Sequence, residues 1–335
     1  MPVSTLAVLL DGLPGRPNAL LANLDLHPDL TQETGRVVSQ SLMAQALNIA
    51  LLAALLERAP TAAAYMQDLR LAGGRLTFDH GAMRTVDLGR MGDLPRGETA
   101  FTRILRPLGY VLAAEYPLTA LRMTGRAYAH AERPEHIPQF FVSELHVDRF
   151  SETFQDAAVR ITGASRDPLV SADLRRLDRM AEERRLSLDD ASALLPRLAA
   201  CFGRNHPTPR LSDYETVRGE SAEMAWIATE GNAFNHATDR VASLAEVTQL
   251  QRAKDRPLKA KVEVSKSGRV RQTAFLADQV RREFHDEHGV VIERVVPGSF
   301  FEFIERDRLP DGQALDLSFD SGNAQGIFKM TEAAA

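Results

Sequence analysis

Leu76-Thr77-Phe78-Asp79-His80-Gly81-Ala82-Met83-Arg84-Thr85-Val86 follows a break at Gly73-Gly74, and its Thr, Phe and Val content reads as a β-strand. Side chains alternate across a strand, so Phe78, His80, Ala82 and Arg84 share one face. Small Ala82 leaves space between an imidazole and a guanidinium, and a ligand can sit against that face. What precedes this strand reads as helix, and much of what lies far downstream reads as more strand.

Upstream, Val37 to Arg58 places Leu42, Ala46, Ile49, Ala50, Ala53 and Leu56 at helical spacing and stops before Pro60, which predicts a buried helix. A second helix is expected over Ala62 to Leu71, with Thr61 as its N-cap. Downstream, Gln139 to Val147 is a strand candidate, and Asp167 to Phe202 reads as two helices parted near Leu186, with Ser187 and Asp190 as a capping signal. Gly203 to Asp213 reads as a loop, Trp226 to Val241 as strand-like, and Ser243-Leu244-Ala245-Glu246 as the opening of a short helix. From Lys259 onward the text is mostly β, with Lys261 to Val264, Val270 to Phe275, Glu283-Phe284, Val290 to Val296 and Ser299 to Ile304 separated by turns. The expected organisation is a single α+β catalytic unit over 1–335. It comprises N-terminal helices (1–72), a first β part (73–150), a helical insertion (151–223) and a second β part (224–335), the two β parts being open to reading as related modules.

The bulk numbers set boundaries. The chain has 335 residues, 44% hydrophobic and 25% charged, with 21 Gly and 17 Pro, a globular composition without a fibrous or disordered bias. A net charge of -5 offers no general basic field for nucleic acid. Cys201 is the single cysteine, which excludes an intramolecular disulfide and any cysteine-rich zinc site. The most apolar run, Ile49 to Leu56, is short for a membrane span. Met1-Pro2-Val3-Ser4 lacks the basic opening of a signal peptide, and the expected location is the cytoplasm. No phosphate-binding loop, dinucleotide fingerprint, H-E-x-x-H or G-x-S-x-G motif is present, against nucleotide hydrolysis, hydride transfer, zinc proteolysis and serine hydrolysis.

Nine histidines are present, and context must separate ligands from ordinary residues. His80 shares its strand face with Arg84, whose fork suits a carboxylate; a structural histidine fits the same pattern. His236, in Gly231-Asn232-Ala233-Phe234-Asn235-His236-Ala237-Thr238-Asp239-Arg240, has Asn235, Thr238 and Asp239 nearby to orient an imidazole, although a turn with a satisfied histidine reads equally well. Glu302 lies within Phe300-Phe301-Glu302-Phe303-Ile304, where a buried charge needs compensation. A divalent cation, an arginine partner or an exposed edge would each supply it, with Glu305 and Arg306 read as the solvated strand end. His285 and His288 read as a polar hairpin turn, and His27, His130, His136, His146 and His206 as structural or exposed.

Five ordered stretches carry a family resemblance: Phe78 to Thr85, Phe141-Val142-Ser143-Glu144-Leu145, Gly231 to Thr238, Val296-Pro297-Gly298-Ser299 through Arg306, and Gly326-Ile327-Phe328-Lys329. Together they resemble the 2-oxoadipate dioxygenase/decarboxylase family, the hydroxyglutarate synthases, in its shorter form. The resemblance implies a fold like the vicinal oxygen chelate enzymes, a curved antiparallel β-sheet enclosing a metal site. It places Fe(II) on His80, His236 and Glu302, a substrate carboxylate on Arg84, and main chain near Gly322 over the substrate. Two imidazoles and a carboxylate leave coordination positions open, as non-haem Fe(II) chemistry requires, whereas a structural zinc site would need a fourth ligand.

The activity the resemblance implies is conversion of 2-oxoadipate to 2-hydroxyglutarate with O2 uptake and CO2 release, in lysine catabolism. The expected partners are a 2-oxo dicarboxylic acid and O2, with no nucleic acid and no membrane. Since fold and ligands do not determine substrate, two rivals stand beside it: a ring-cleaving dioxygenase or isomerase of the same fold, and a catalytically silent metal-binding regulatory protein.

Overall fold

The computed structural model describes residues 4–89 and 91–320. In chain order the strands are β1 Val37–Ser39, β2 Phe78–Asp87, β3 Tyr110–Leu118, β4 Met123–His130, β5 Gln139–His146, β6 Arg185–Ser187, β7 Phe234–Arg240, β8 Glu263–Val264, β9 Val270–Ala274, β10 Gln279–His285, β11 Val291–Pro297 and β12 Phe300–Arg306. Eight of them form one curled half-barrel sheet in the order β3-β4-β5-β2-β7-β12-β9-β8, while β1 pairs with β6 and β10 with β11.

That order repeats itself. β2 is followed by the helix Thr99–Leu105 and then β3, β4 and β5; β7 is followed by the helix Leu244–Ala253 and then β8, β9 and β12. In each half the last strand returns to lie parallel beside the first, β5 on β2 and β12 on β7, and the halves join through an antiparallel β2·β7 pair. The sheet is therefore mixed: a returning strand that lies beside its starting strand with the same direction needs a crossover, which the intervening elements supply. The second half differs by the β10–β11 hairpin inserted before β12.

One face of the sheet is the main core. Met83, Phe140, Val142, Phe234, Ala237, Phe301 and Phe303 pack there with Leu42, Leu47, Ile49 and Leu52 of the helix Gln40–Arg58. Ser39 caps that helix by accepting from Leu42 N, and every residue from Gln40 to Ala53 is buried. The helix begins at Gln40 and not at Val37, because Val37–Ser39 pairs with β6 instead; by length and composition alone it could cross a membrane, but its burial within the protein makes it a core helix. Gly81 is required at the sheet's centre, because a Cβ there would lie 2.3 Å from the Phe234 ring.

Several local expectations are corrected. Trp226 is helical, not strand-like: Ala222–Glu230 is a helix capped by Ser221, whose side chain accepts from Met224 N. Its Ala222, Met224, Ala225 and Ala228 favour helix, and the apolar run alone carries no decisive period. Gly231, at φ +66°, ends it where a Cβ would meet Arg204 Cα at 2.4 Å. The second helix starts at Pro60, and Thr61 is not its N-cap; its N–H and hydroxyl donate to Asp278 at 3.1 and 2.6 Å. The edge strand β3 was not anticipated, because most of its side chains are exposed or half-buried and edge strands carry little alternation.

Candidate metal centre

The centre is made by register. Thr238 of β7 stands opposite His80 of β2 on one side and opposite Glu302 of β12 on the other. His236, two residues before Thr238 on β7, faces Ala82 and Phe300. Directly opposed and diagonal side chains on one sheet face are within reach of each other, so three adjacent strands bring His80, His236 and Glu302 together. Each offers one ligand atom, and the three atoms lie within 4.8 Å of one another.

Glu302 is the hub. Its Oε2 lies 3.2 Å from His236 Nε2 and 3.4 Å from His80 Nε2, and it accepts from the Thr238 hydroxyl at 3.0 Å. That hydroxyl is also 3.1 Å from His80 Nε2. All three residues are buried, Glu302 with 1% exposure. The alternatives of edge exposure and an arginine partner are thereby removed for Glu302 among the described residues. Its second oxygen, Oε1, is buried with no hydrogen-bond partner there, a costly arrangement for a carboxylate. A divalent cation bound between Glu302 and the two Nε2 atoms answers that cost, so the residues present fit a metal.

The other ring nitrogens are held from behind. Asp79 Oδ1 lies 2.9 Å from His80 Nδ1, so that nitrogen donates to Asp79 and Nε2 is the one that would meet a metal. The Asn235 amide lies 3.1 Å from His236 Nδ1, and the His236 ring stacks on Phe300 with centroids 4.8 Å apart. Burial pulls the His80 pKa down, but Asp79 and Glu302 override it and the net shift is upward. For His236 burial wins over Glu302, and its pKa falls. Burial alone would raise the Glu302 carboxyl, yet the two imidazoles hold it well below the usual range. Glu302 is thus an anion facing two nitrogens, the charge state a metal needs.

Arg84 lies two same-face steps from His80 on β2 and is fully buried. Its guanidinium lies over Trp226, Cζ 5.2 Å from the ring centroid, and Asn232 Nδ2 donates to its carbonyl at 2.8 Å. Burial pulls its pKa down to about 10, with Glu223 opposing; it remains a cation at neutral pH. Between Arg84 and His80, Ala82 packs with Ala127 and Phe141, and Tyr116 and Phe319 lie against them. Gly322 lies outside the described residues.

Reading the sequence missed several participants. Arg306, expected at a solvated strand end, is buried and grips Asp79. Thr238 serves His80 and Glu302, not His236, and Asp239 turns to the opposite face, where it accepts from Tyr65 at 2.6 Å. Trp226 and Phe319 carried no signal, because their partners are distant in the chain. Asp87, Glu144 and His146 also lie within reach of one another, but each is already engaged. His146 uses Nδ1 on Asp87 at 3.3 Å and Nε2 on Thr124 at 2.7 Å. Glu144 accepts from Glu98 N and Arg126, and Asp87 pairs with Arg96. Cys201 is buried, and burial pushes its thiol up to about 12, as suits a core residue.

A family model described as 2-oxoadipate dioxygenase/decarboxylase matches residues 50–329. The chloroplastic 2-oxoadipate dioxygenase/decarboxylase of Arabidopsis thaliana is 28% identical over 305 residues, 82% of this chain and 74% of the plant protein. The crystal structure of a putative glyoxalase superfamily protein from Ralstonia eutropha JMP134 superposes with a TM-score of 0.89 at 51% identity, covering 94% of this chain and 98% of that one. The hydroxyglutarate synthase of Oryza sativa, in complex with 2-oxoadipate, shares the fold with a TM-score of 0.66 at 20% identity, covering 90% of this chain and 96% of that one. With the model spanning most of the chain, the protein belongs to the 2-oxoadipate dioxygenase/decarboxylase family.

Proposed function

We propose that this protein is an Fe(II)-dependent dioxygenase/decarboxylase that converts 2-oxoadipate to 2-hydroxyglutarate with uptake of O2 and release of CO2. The observation that carries the reading is the buried pair of imidazoles with one carboxylate, Glu302 Oε1 lacking a partner among the described residues, and a buried arginine on the same strand face. In this reading His80, His236 and Glu302 hold the metal. When bound, Fe(II) supplies a Lewis acid for the 2-oxo acid group and electrons for O2.

The chain's own residues bind and orient. Arg84, lying over the Trp226 ring, pairs with a substrate carboxylate through charge-assisted hydrogen bonds. Ala82, Ala127 and Phe141 line the aliphatic middle of the dicarboxylic acid, and Tyr116 and Phe319 exclude water from it. Asp79 and Asn235 keep the two imidazoles aimed. The substrate named for the plant relatives and bound in the rice structure suits such a site, with one carboxylate at each end of a short chain.

The test is anaerobic reconstitution with Fe(II), then 2-oxoadipate and air, with oxygen uptake recorded and the product acid identified by mass spectrometry, beside a His236→Ala control. Stoichiometric 2-hydroxyglutarate absent from the control supports the reading. Metal binding without turnover sinks the substrate, and oxygen uptake with catechols but not with 2-oxo acids moves the activity to ring cleavage.

A further inference from the structure

Arg306 spends its whole guanidinium on two separate tasks. Nε and Nη2 grip Asp79, with Nε 3.0 Å from Oδ2 and Nη2 2.8 Å from Oδ1. Nη1 donates to the carbonyls of Asp316 and Ser318 at 2.8 and 2.9 Å. The side chains of Arg306 and Asp79 are 0% and 1% exposed. Asp79 is the carboxylate that holds His80 Nδ1, and the segment carrying Asp316 and Ser318 leads to Phe319. The Phe319 ring stands edge-on to His80 with centroids 4.8 Å apart and lies 5.3 Å from Arg306 Cζ. Two further contacts seat the segment: Gln139 Nε2 donates to Leu317 O at 3.2 Å, and Phe319 N donates to Tyr116 Oη at 3.0 Å.

Resting on the metal centre proposed above, we infer that Arg306 is a positioning residue: through Asp79 it sets the orientation of His80, and through the two carbonyls it ties the 315–319 segment to the same ligand. Arg240 Nη1 stands 3.8 Å from Asp79 Oδ2 and makes no hydrogen bond to it, so Arg306 is the partner that fixes the buried carboxylate; losing that grip is costly, and an imidazole held by an unanchored carboxylate loses its aim. A lysine could neutralise Asp79 but not span both tasks, because an ammonium lacks the planar fork. The segment and the ligand then no longer share a support.

The experiment measures the apparent affinity of the metal-free protein for Fe(II), and for Co(II) with its visible d–d bands, by competition with a chromophoric chelator and without substrate. The variants are Asp79→Asn, Arg306→Lys, their double, and Arg269→Ala, which removes the 2.8 Å bond to the Asp316 side chain without touching Asp79. Asp79→Asn and Arg306→Lys each weaken metal binding by about ten- to a hundredfold and alter the Co(II) bands. The double variant is no weaker than the multiplied effects predict and falls short of them, because both act through His80. Arg269→Ala keeps the parent affinity. Arg306→Lys binding within twofold of the parent while folded, or a double effect that is fully multiplicative, overturns the inference. Should Asp79→Asn fail to fold, Arg306→Lys decides on the same criterion. Since affinity is read without substrate, failure to turn over 2-oxoadipate bears on the proposed substrate and leaves this inference standing.

Discussion

Glu302→Gln tests the centre at its hub. Glutamine keeps the side-chain volume, so no cavity opens, and its carbonyl can still accept from Thr238, which now donates to Oε2 at 3.0 Å. What is lost is the anion that faces two Nε2 atoms at 3.2 and 3.4 Å. A metal that binds only the folded protein stabilises it by RT ln(1 + [metal]/Kd), about 2.7 kcal/mol at a hundredfold excess over Kd. At about 2.1 cal/mol/K per residue, the unfolding entropy of a chain this long is roughly 0.7 kcal/mol/K, so the melting temperature rises by about 4 °C. The assay is thermal melting under argon with and without Fe(II). The parent gains those few degrees, and Glu302→Gln gains about none at the same concentration. An equal gain in the variant, or no gain in the parent, would refute the assignment of Glu302 as a ligand.

Other outcomes follow from the same geometry. Arg84→Lys lowers kcat/KM for 2-oxoadipate by about ten- to a hundredfold, since a charged hydrogen-bond fork is worth about 1.5–3 kcal/mol; unchanged steady-state kinetics count against a role in carboxylate binding. Gly81→Ala forces a Cβ to within 2.3 Å of the buried Phe234 ring, and overpacking of that kind costs about 1–3 kcal/mol, read as a melting temperature lower by roughly 1.5–4 °C; a variant as stable as the parent contradicts it. Burial holds His206 down to about 4, the Ala228 carbonyl partly opposing. Between pH 6.5 and 4 the unfolded chain therefore takes a proton that the native state refuses, and stability falls as pH falls. Urea midpoints between pH 7 and 4.5 should decline less steeply in His206→Asn than in the parent, and identical slopes would rule His206 out as a source of the decline.

Much of the centre was legible because strand periodicity is a local rule. Alternation placed His80, Ala82 and Arg84 on one face of β2 but wrongly added Phe78, because a bulge between Phe78 and His80 turns that ring into the main core; Glu302 stood out as a carboxylate in an aromatic strand. The helix Gln40–Arg58 was legible from its spacing, although only burial showed which of its apolar faces is covered. Trp226 was misread because a short apolar run obeys both periods, although the Ser221 cap and the surrounding alanines are local helix signals; in the fold its Nε1 donates to the Gly298 carbonyl at 3.0 Å.

The chain by itself determined the residue types that can hold a metal, the strands that carry them and, through five ordered stretches, the family they resemble. Tertiary structure alone decided that Thr238 stands between His80 and Glu302, that Arg306 is buried on Asp79, and that Phe319 closes on His80. Those facts depend on strand register and on contacts between residues 158 and 227 positions apart, and further apart still for Phe319 and His80. Local preference cannot encode them, because shifting one strand by a single residue turns every side chain to the opposite face while leaving its composition unchanged.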